Sequence, residues 1–130
     1  METLPKIERL CGKASISDLL KTGRFGHEGC LKYCWKLRDE GTGPQCNRLL
    51  VSVSKRFFKR AVKRNLLKRR LREAYRRQKH IPGADRRCDI MLIYNSGEIL
   101  DYKTIYLSVE AVLKDIASHT GNDKANFGNT

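Results

Sequence analysis

The run from Ser52 to Lys79, SVSKRFFKRAVKRNLLKRRLREAYRRQK, constrains this chain more than any other. About half of it is Lys or Arg, and Glu73 is its only acid. It also carries Val62, Leu66, Leu67, Leu71, Ala74 and Tyr75 at helical spacing, a stripe that a merely solvated charge run would lack. Stepping about 100° per residue from Ala61 separates the faces. Leu67, Leu71, Ala74 and Tyr75 gather on one side, and Asn65, Lys68, Arg69, Arg72 and Arg76 gather on another that contains no acid. The spacing predicts a helix over Arg60 to Gln78, with one face in a core and one offered to a polyanion. Like charges at Lys68–Arg72, Arg69–Arg72 and Arg72–Arg76 repel. An ordinary surface helix mixes charge signs, so a face that keeps these cations implies a partner that neutralises them. Arginine suits phosphate because its planar fork donates two hydrogen bonds at once.

The whole chain has the same bias. Its 130 residues carry 27 Lys and Arg against 14 Asp and Glu, a net charge of +13. That balance points to nucleic acid first and to an anionic membrane surface second. It makes binding to phosphate backbones salt-dependent and carries no sequence specificity by itself. The length fits one domain with one core. Cys11, Cys30, Cys34, Cys46 and Cys88 are odd in number and form no C-x-x-C, and His27, His80 and His119 are scattered. That spacing does not make a structural zinc site, and idle thiols in a reducing cytoplasm are the expectation. Met1 to Leu10 is charged and lacks the apolar region of a signal peptide. No apolar run is long enough to span a bilayer.

Read in order, residues 1–13 form an extended arm leading to Arg9 and Leu10. Ser15 to Lys21 is a short helix with Ser15 as its cap, Asp18 in the first turn, and Ile16, Leu19 and Leu20 as its apolar face; Gly23 ends it. Gly29 to Arg38 alternates, with Leu31, Tyr33, Trp35 and Leu37 on one face and Cys30, Lys32, Cys34 and Lys36 on the other. Tyr33 and Trp35 read either as core or as a stacking platform for bases. After a Gly/Pro turn, Arg48 to Ser54 is a second strand, expected to pair with the first as an antiparallel hairpin, with a further short strand near Arg24 to His27. Beyond the basic helix, Asp89 to Tyr94 is a continuous apolar run and hence a buried strand. Asp101 caps a last helix near Tyr102 to Ser118, whose apolar face is Ile105, Val109, Val112, Leu113 and Ile116. Residues 1–120 make the domain, and Gly121 to Thr130 is expected to be a disordered tail. The elements add up to an α+β sandwich of one sheet against helices.

With these elements placed, Leu49 to Arg76 closely resembles the signature of the bacterial ribonuclease P protein component. That signature is a strand ending in Ser-x-Ser-Lys followed by a basic helix with an "RNR" motif. Ala61, Val62, Arg64, Asn65, Lys68, Arg69, Arg72, Ala74 and Tyr75 carry it here. Arg9-Leu10, the Gly23 helix end, the DIMLIY strand and the terminal helix fall where the family has them, so the resemblance covers nearly the whole chain. It implies an α-β-β-β-α-β-α fold with a left-handed βαβ crossover, like the second domain of a small-subunit ribosomal protein, although most parallel crossovers are right-handed. This chain departs from the family at Leu66, where the motif has Arg, and at Ile16 and Leu20, where the first helix usually has aromatics. On the helical wheel Leu66 lies opposite the Asn65/Arg69 face and near Glu73.

The resemblance implies the protein subunit of a cytoplasmic ribonucleoprotein endonuclease that removes the 5′ leader of precursor tRNA. The RNA subunit carries the chemistry with Mg²⁺, and the protein binds no cofactor of its own. Its partners are then the catalytic RNA and precursor tRNA, not DNA or a membrane. The residues matching the motif and its flanks, Lys55, Arg56, Arg60, Arg64, Asn65, Lys68, Arg69, Arg72 and Arg76, would contact the catalytic RNA. Arg9, Ile16, Leu20, Tyr33 and Trp35 would line a leader-binding cleft between the first helix and the sheet. No catalytic or metal-binding set is assigned. Asp85 and Asp89 read as a loop carboxylate and a strand cap, and no Ser/His/Asp or Cys/His constellation stands out. Two other classes remain. One is a ribosomal or general RNA-binding protein with no part in cleavage. The other is a protein-only nuclease, for which the sequence offers no convincing catalytic set.

Overall fold

The computed structural model describes residues 8–10, 12–38, 46–82 and 88–129, with side chains as far as His119. The elements are α1 (Lys13–Thr22), β1 (Arg24–Glu28), β2 (Leu31–Leu37), β3 (Arg48–Val53), α2 (Ala61–Gln78), β4 (Cys88–Tyr94) and α3 (Tyr102–Asn129). They form one mixed α+β domain with the order α-β-β-β-α-β-α.

The strands lie in the order β1-β2-β4-β3. β2 runs antiparallel to both β1 and β4, while β3 runs parallel to β4. The β2–β3 hairpin expected from the sequence is therefore not formed, because β4 lies between the two strands. The reason is legible in β4 itself: a strand that is apolar at nearly every position needs cover on both faces and takes an interior place. β3 is bordered on its outer side by the N-terminal arm, where Leu10 N–H donates to Leu49 O at 2.9 Å and Arg9 pairs with Leu49.

The sheet is covered on both faces, unequally. One face meets α2 and α3 in the main core, built from Leu31, Tyr33 and Trp35 of β2, Leu49, Val51 and Val53 of β3, and Ile90, Leu92 and Tyr94 of β4 against Leu67, Leu71, Tyr75, Val109, Val112, Leu113 and Ile116. The other face carries a small cluster of Leu10, Leu19 and Cys34, with Ile16, Leu50 and Met91 packed on it. Among the described residues, α1 and Leu10 of the N-terminal arm cover it.

Each helix has a local cause. α2 begins one residue after Arg60 and ends at Gln78, as its periodicity requires. Val62, however, is 80% exposed and is no part of the buried stripe. α1 starts two residues before Ser15, behind an N-cap Gly12 at φ 95°, and has no side-chain cap. Asp18 consequently lies mid-helix, where it pairs with Lys36 of β2. Gly23 closes α1 by donating its N–H to Leu19 O at 2.7 Å. Its φ of −75° would suit any residue, but an added Cβ would sit 2.5 Å from Leu19 O and 2.6 Å from Cys34 Sγ. Closeness to Leu19 of α1 and Cys34 of β2, not backbone freedom, demands glycine there. Asp101 caps α3 by accepting from Thr104 N–H at 3.0 Å. α3 continues past Ser118 to Asn129, through the stretch expected as a tail; no proline follows Pro82 to stop it. Among the described residues, no helix is long and apolar enough to cross a membrane.

Candidate nucleic-acid interface

α2 divides into a buried face, a solvent face and a flank. Leu67, Leu71, Ala74, Tyr75 and Gln78 are buried. Gln78 is fixed at the far end by donating to Ala74 O and Tyr106 O, both at 3.1 Å. The flank of Leu66, Arg70, Glu73 and Arg77 turns toward the start of α3. There Arg70 donates to Leu100 O at 2.6 Å, and the Arg77 guanidinium lies 6.0 Å from the centroid of the Tyr102 ring.

The solvent face holds most of the expected contact residues. Asn65, Arg69 and Arg72 are exposed and Lys68 is half-buried; Lys55 and Arg56 are exposed in the turn after β3, and exposed Arg60 caps the helix. Among the described residues, the side chains of Lys55, Asn65, Lys68, Arg69 and Arg72 make no hydrogen bond or ion pair within the chain. Desolvation, and then the neighbouring charge of Arg9, pulls the Arg72 guanidinium below the usual arginine range. Anion binding relieves that repulsion.

Two cations expected on this face are engaged internally. Arg64 donates to the carbonyls of Phe58 at 2.8 Å and Lys59 at 2.7 Å, closing the turn that leads into α2. Arg76 forks onto Glu73 at 2.6 and 3.2 Å. That fork, followed by the charges of Arg76 and Arg77, holds the Glu73 carboxyl below its ordinary value. Glu73 is thereby neutralised on the flank, and Asn65, Lys68, Arg69 and Arg72 remain without an acid among them. Leu66 lies on the same flank, where it lines a hollow together with Arg69 and Glu73. It is therefore beside Arg69 and not opposite it.

The expected leader-cleft set is not brought together. Tyr33 and Trp35, 3% and 4% exposed, belong to the core under α2 and α3. Ile16 and Leu20 belong to α1, on the other side of the sheet. The period of two makes this unavoidable: whatever shares a face with Cys34 under α1 excludes Tyr33 and Trp35. Tyr33 instead donates its hydroxyl to Asp115 of α3, and burial foremost, then Asp115, pushes that phenol up. Trp35 carries the Arg24 guanidinium 5.8 Å from its ring centroid and the His119 ring at 6.0 Å. Arg9 stands near Arg72, on the α2 side.

A cleft beside α1 does exist, with other walls. Across the sheet, Phe25, Cys34, Met91 and Leu50 form one row by pairing, and His27, Lys32, Ile93 and Ser52 form the next on the same face. α1 packs on Cys34, Met91 and Leu50. The second row is left exposed or half-exposed. Phe25, 64% exposed, stands at the β1 end of α1's row, and Leu20 is exposed on α1. Phe25 is the aromatic that sequence reasoning missed; its place opposite Cys34 across β1–β2 is the signal that would have found it. Asp89, read as a strand cap, is 2% exposed and clamped by Arg48 at 2.9 and 3.0 Å and by Arg38 at 3.0 Å. It serves the fold. Asp85 lies outside the described residues.

Comparison with known proteins agrees with this architecture. The family model described as Ribonuclease P matches residues 4–117. The "Ribonuclease P protein component" of Porphyromonas gingivalis is 33% identical over 121 residues, spanning 89% of this chain and 88% of that protein. The RNase P protein of Staphylococcus aureus superposes with a TM-score of 0.69 at 28% identity, over 82% of this chain and 93% of that one. That of Thermotoga maritima superposes with a TM-score of 0.70 at 25% identity, over 84% and 97%. The chain belongs to the ribonuclease P protein component family.

Proposed function

We propose that this chain is the RNA-binding subunit of a cytoplasmic ribonuclease P, assisting an RNA subunit in cutting the 5′ leader from precursor tRNA. One observation carries the reading: α2 presents Asn65, Lys68, Arg69 and Arg72 with no acid among them and no partner among the described residues. Such a face docks on folded RNA through its phosphates and lowers the counterion demand of assembly. Lys55 and Arg56 continue it from the turn after β3. The open row His27, Lys32, Ile93 and Ser52, with Phe25 beside it, suits the single-stranded leader: a shallow floor, a cation and an exposed ring for stacking. Phosphodiester hydrolysis in this reading belongs to the RNA subunit and its Mg²⁺, and no residue of this chain is assigned to the chemical step.

The test is the salt dependence of binding to a bacterial ribonuclease P RNA. Arg69→Ala is expected to weaken binding and to flatten the log Kd against log salt slope by about one phosphate contact. An unchanged slope would remove Arg69 from the phosphate interface.

A further inference from the structure

The flank of α2 carries a feature that phosphate docking does not use. Leu66, Arg69, Arg70, Glu73 and Tyr102 line a hollow of about 230 Å³ between α2 and the start of α3. Leu66 replaces the Arg of the family motif, so an apolar side chain stands where a phosphate ligand would be expected. Val62, one turn earlier on the same stripe, extends the apolar strip and is 80% exposed. Ile99, adjoining the Leu100 that anchors Arg70, is exposed as well.

We propose that this hollow receives one unstacked nucleobase of the RNA bound to the neighbouring α2 face. The inference rests on the RNA-docking reading above and adds a base contact to it. Size agrees: an apolar cavity of about 150 Å³ accepts a benzene-sized ring, and this hollow is somewhat larger. Its chemistry favours a base over a phosphate. Leu66 offers no donor, and the Glu73 carboxylate, its charge already met by Arg76, keeps lone pairs that can accept from an exocyclic amine. Its surroundings favour RNA over protein. Arg69 and Arg70 line it, Arg77 stands over Tyr102, and the adjoining solvent face contains no acid. Arg70 is already ordered by Leu100 O, so its guanidinium plane is fixed for stacking before RNA arrives. Tyr102 adds an aromatic side chain to the lining.

The experiment is base and backbone footprinting of a bacterial ribonuclease P RNA with the full chain and with Leu66→Arg and Tyr102→Ala, both checked for folding by circular dichroism. Dimethyl sulfate reads unpaired adenines and cytosines, and hydroxyl radicals read the backbone. The expected result is an unpaired base protected by the parent protein and exposed again in both variants, with the backbone footprint and salt slope retained and affinity reduced about tenfold. Backbone protection with no base protected by the parent protein would overturn the hollow's assignment and leave the docking face standing. Tighter binding with a steeper salt slope for Leu66→Arg, and no base released, would make this a phosphate position and overturn it too. If Leu66 and Tyr102 instead became buried on association of two copies of the chain in sedimentation velocity, the occupant would be protein. Absence of any backbone footprint would overturn the docking reading itself, and this inference with it.

Discussion

Glu73 grips Arg76 through both carboxylate oxygens, at 2.6 and 3.2 Å. The only acid of the basic stretch is thereby turned to the flank, and it takes one cation with it. Glu73→Gln removes the carboxylate's negative charge from beside the basic face and weakens its hold on Arg76. RNA binding is expected to tighten by several-fold and the salt slope to steepen by about one contact. Filter binding at four or five salt concentrations checks this, and an unaltered slope would mean that the Glu73 charge does not act on the RNA-binding face. The Glu73 carboxyl is held below its ordinary value, so its contribution to α2 is present above the ordinary carboxylate range and is lost as pH falls through its depressed folded value.

Asp89 is a structural centre. It lies between Arg38 and Arg48 and ties the parallel β3–β4 ladder to the end of β2. Asp89→Asn takes this buried carboxylate charge away from two guanidinium groups, one of them buried. It is expected to cost about 3–5 kcal/mol, measured as a shift in the urea midpoint, with little effect on the salt slope of RNA binding.

Gly26 makes room for a side chain. A Cβ there would lie 2.3 Å from the Tyr33 ring, which crosses β1 on its way to Asp115. Gly26→Ala is expected to destabilise the fold by about 1–3 kcal/mol through overpacking. Gly12→Ala meets open space and carries only the strain of φ 95°, expected to cost about 1–2 kcal/mol. Thermal melts of the two variants separate crowding from backbone strain.

The thiols should sort by burial. Cys34 and Cys88 are buried, and burial pushes both up, Cys88 to about 12 from an ordinary 9.0; Cys30 and Cys46 are half-exposed. With Cys11 replaced by Ser, Ellman's reagent is expected to titrate Cys30 and Cys46 in the native protein, and Cys34 and Cys88 only after unfolding. A group whose folded pKa is raised stabilises below its unfolded value and loses that contribution as pH climbs. Stability is therefore expected to fall from about pH 9 toward 12 as the unfolded thiols ionise.

Much of this was readable from residue spacing. The span of α2, its buried stripe and its acid-free face follow from a 3.6-residue period, which needs no tertiary information. The alternation in β2 was equally plain, and it correctly grouped Leu31, Tyr33 and Trp35. Which element covers which face was not readable, because a two-residue period is blind to the identity of the cover. Spacing and resemblance therefore place Tyr33 and Trp35 in the same cleft as Ile16 and Leu20, although the sheet separates them. Strand order was hidden for a related reason: β2 and β3 are adjacent in sequence, and only the two-sided burial of β4 shows that it intervenes. The internal use of Arg64 and Arg76 depends on where Phe58 O and Glu73 come to rest, and charge counting cannot resolve that.

The most direct test of the central claim is reconstitution. The purified chain is mixed with a bacterial ribonuclease P RNA at low, near-physiological Mg²⁺, and a 5′-extended precursor tRNA is added. Cleavage at the mature 5′ end is expected only when both components are present. That stimulation should fall on simultaneous loss of Lys68, Arg69 and Arg72, and its leader-length dependence should fall with Phe25→Ala. Tight RNA binding without any stimulation of cleavage would contradict the account and make the chain a general RNA-binding protein.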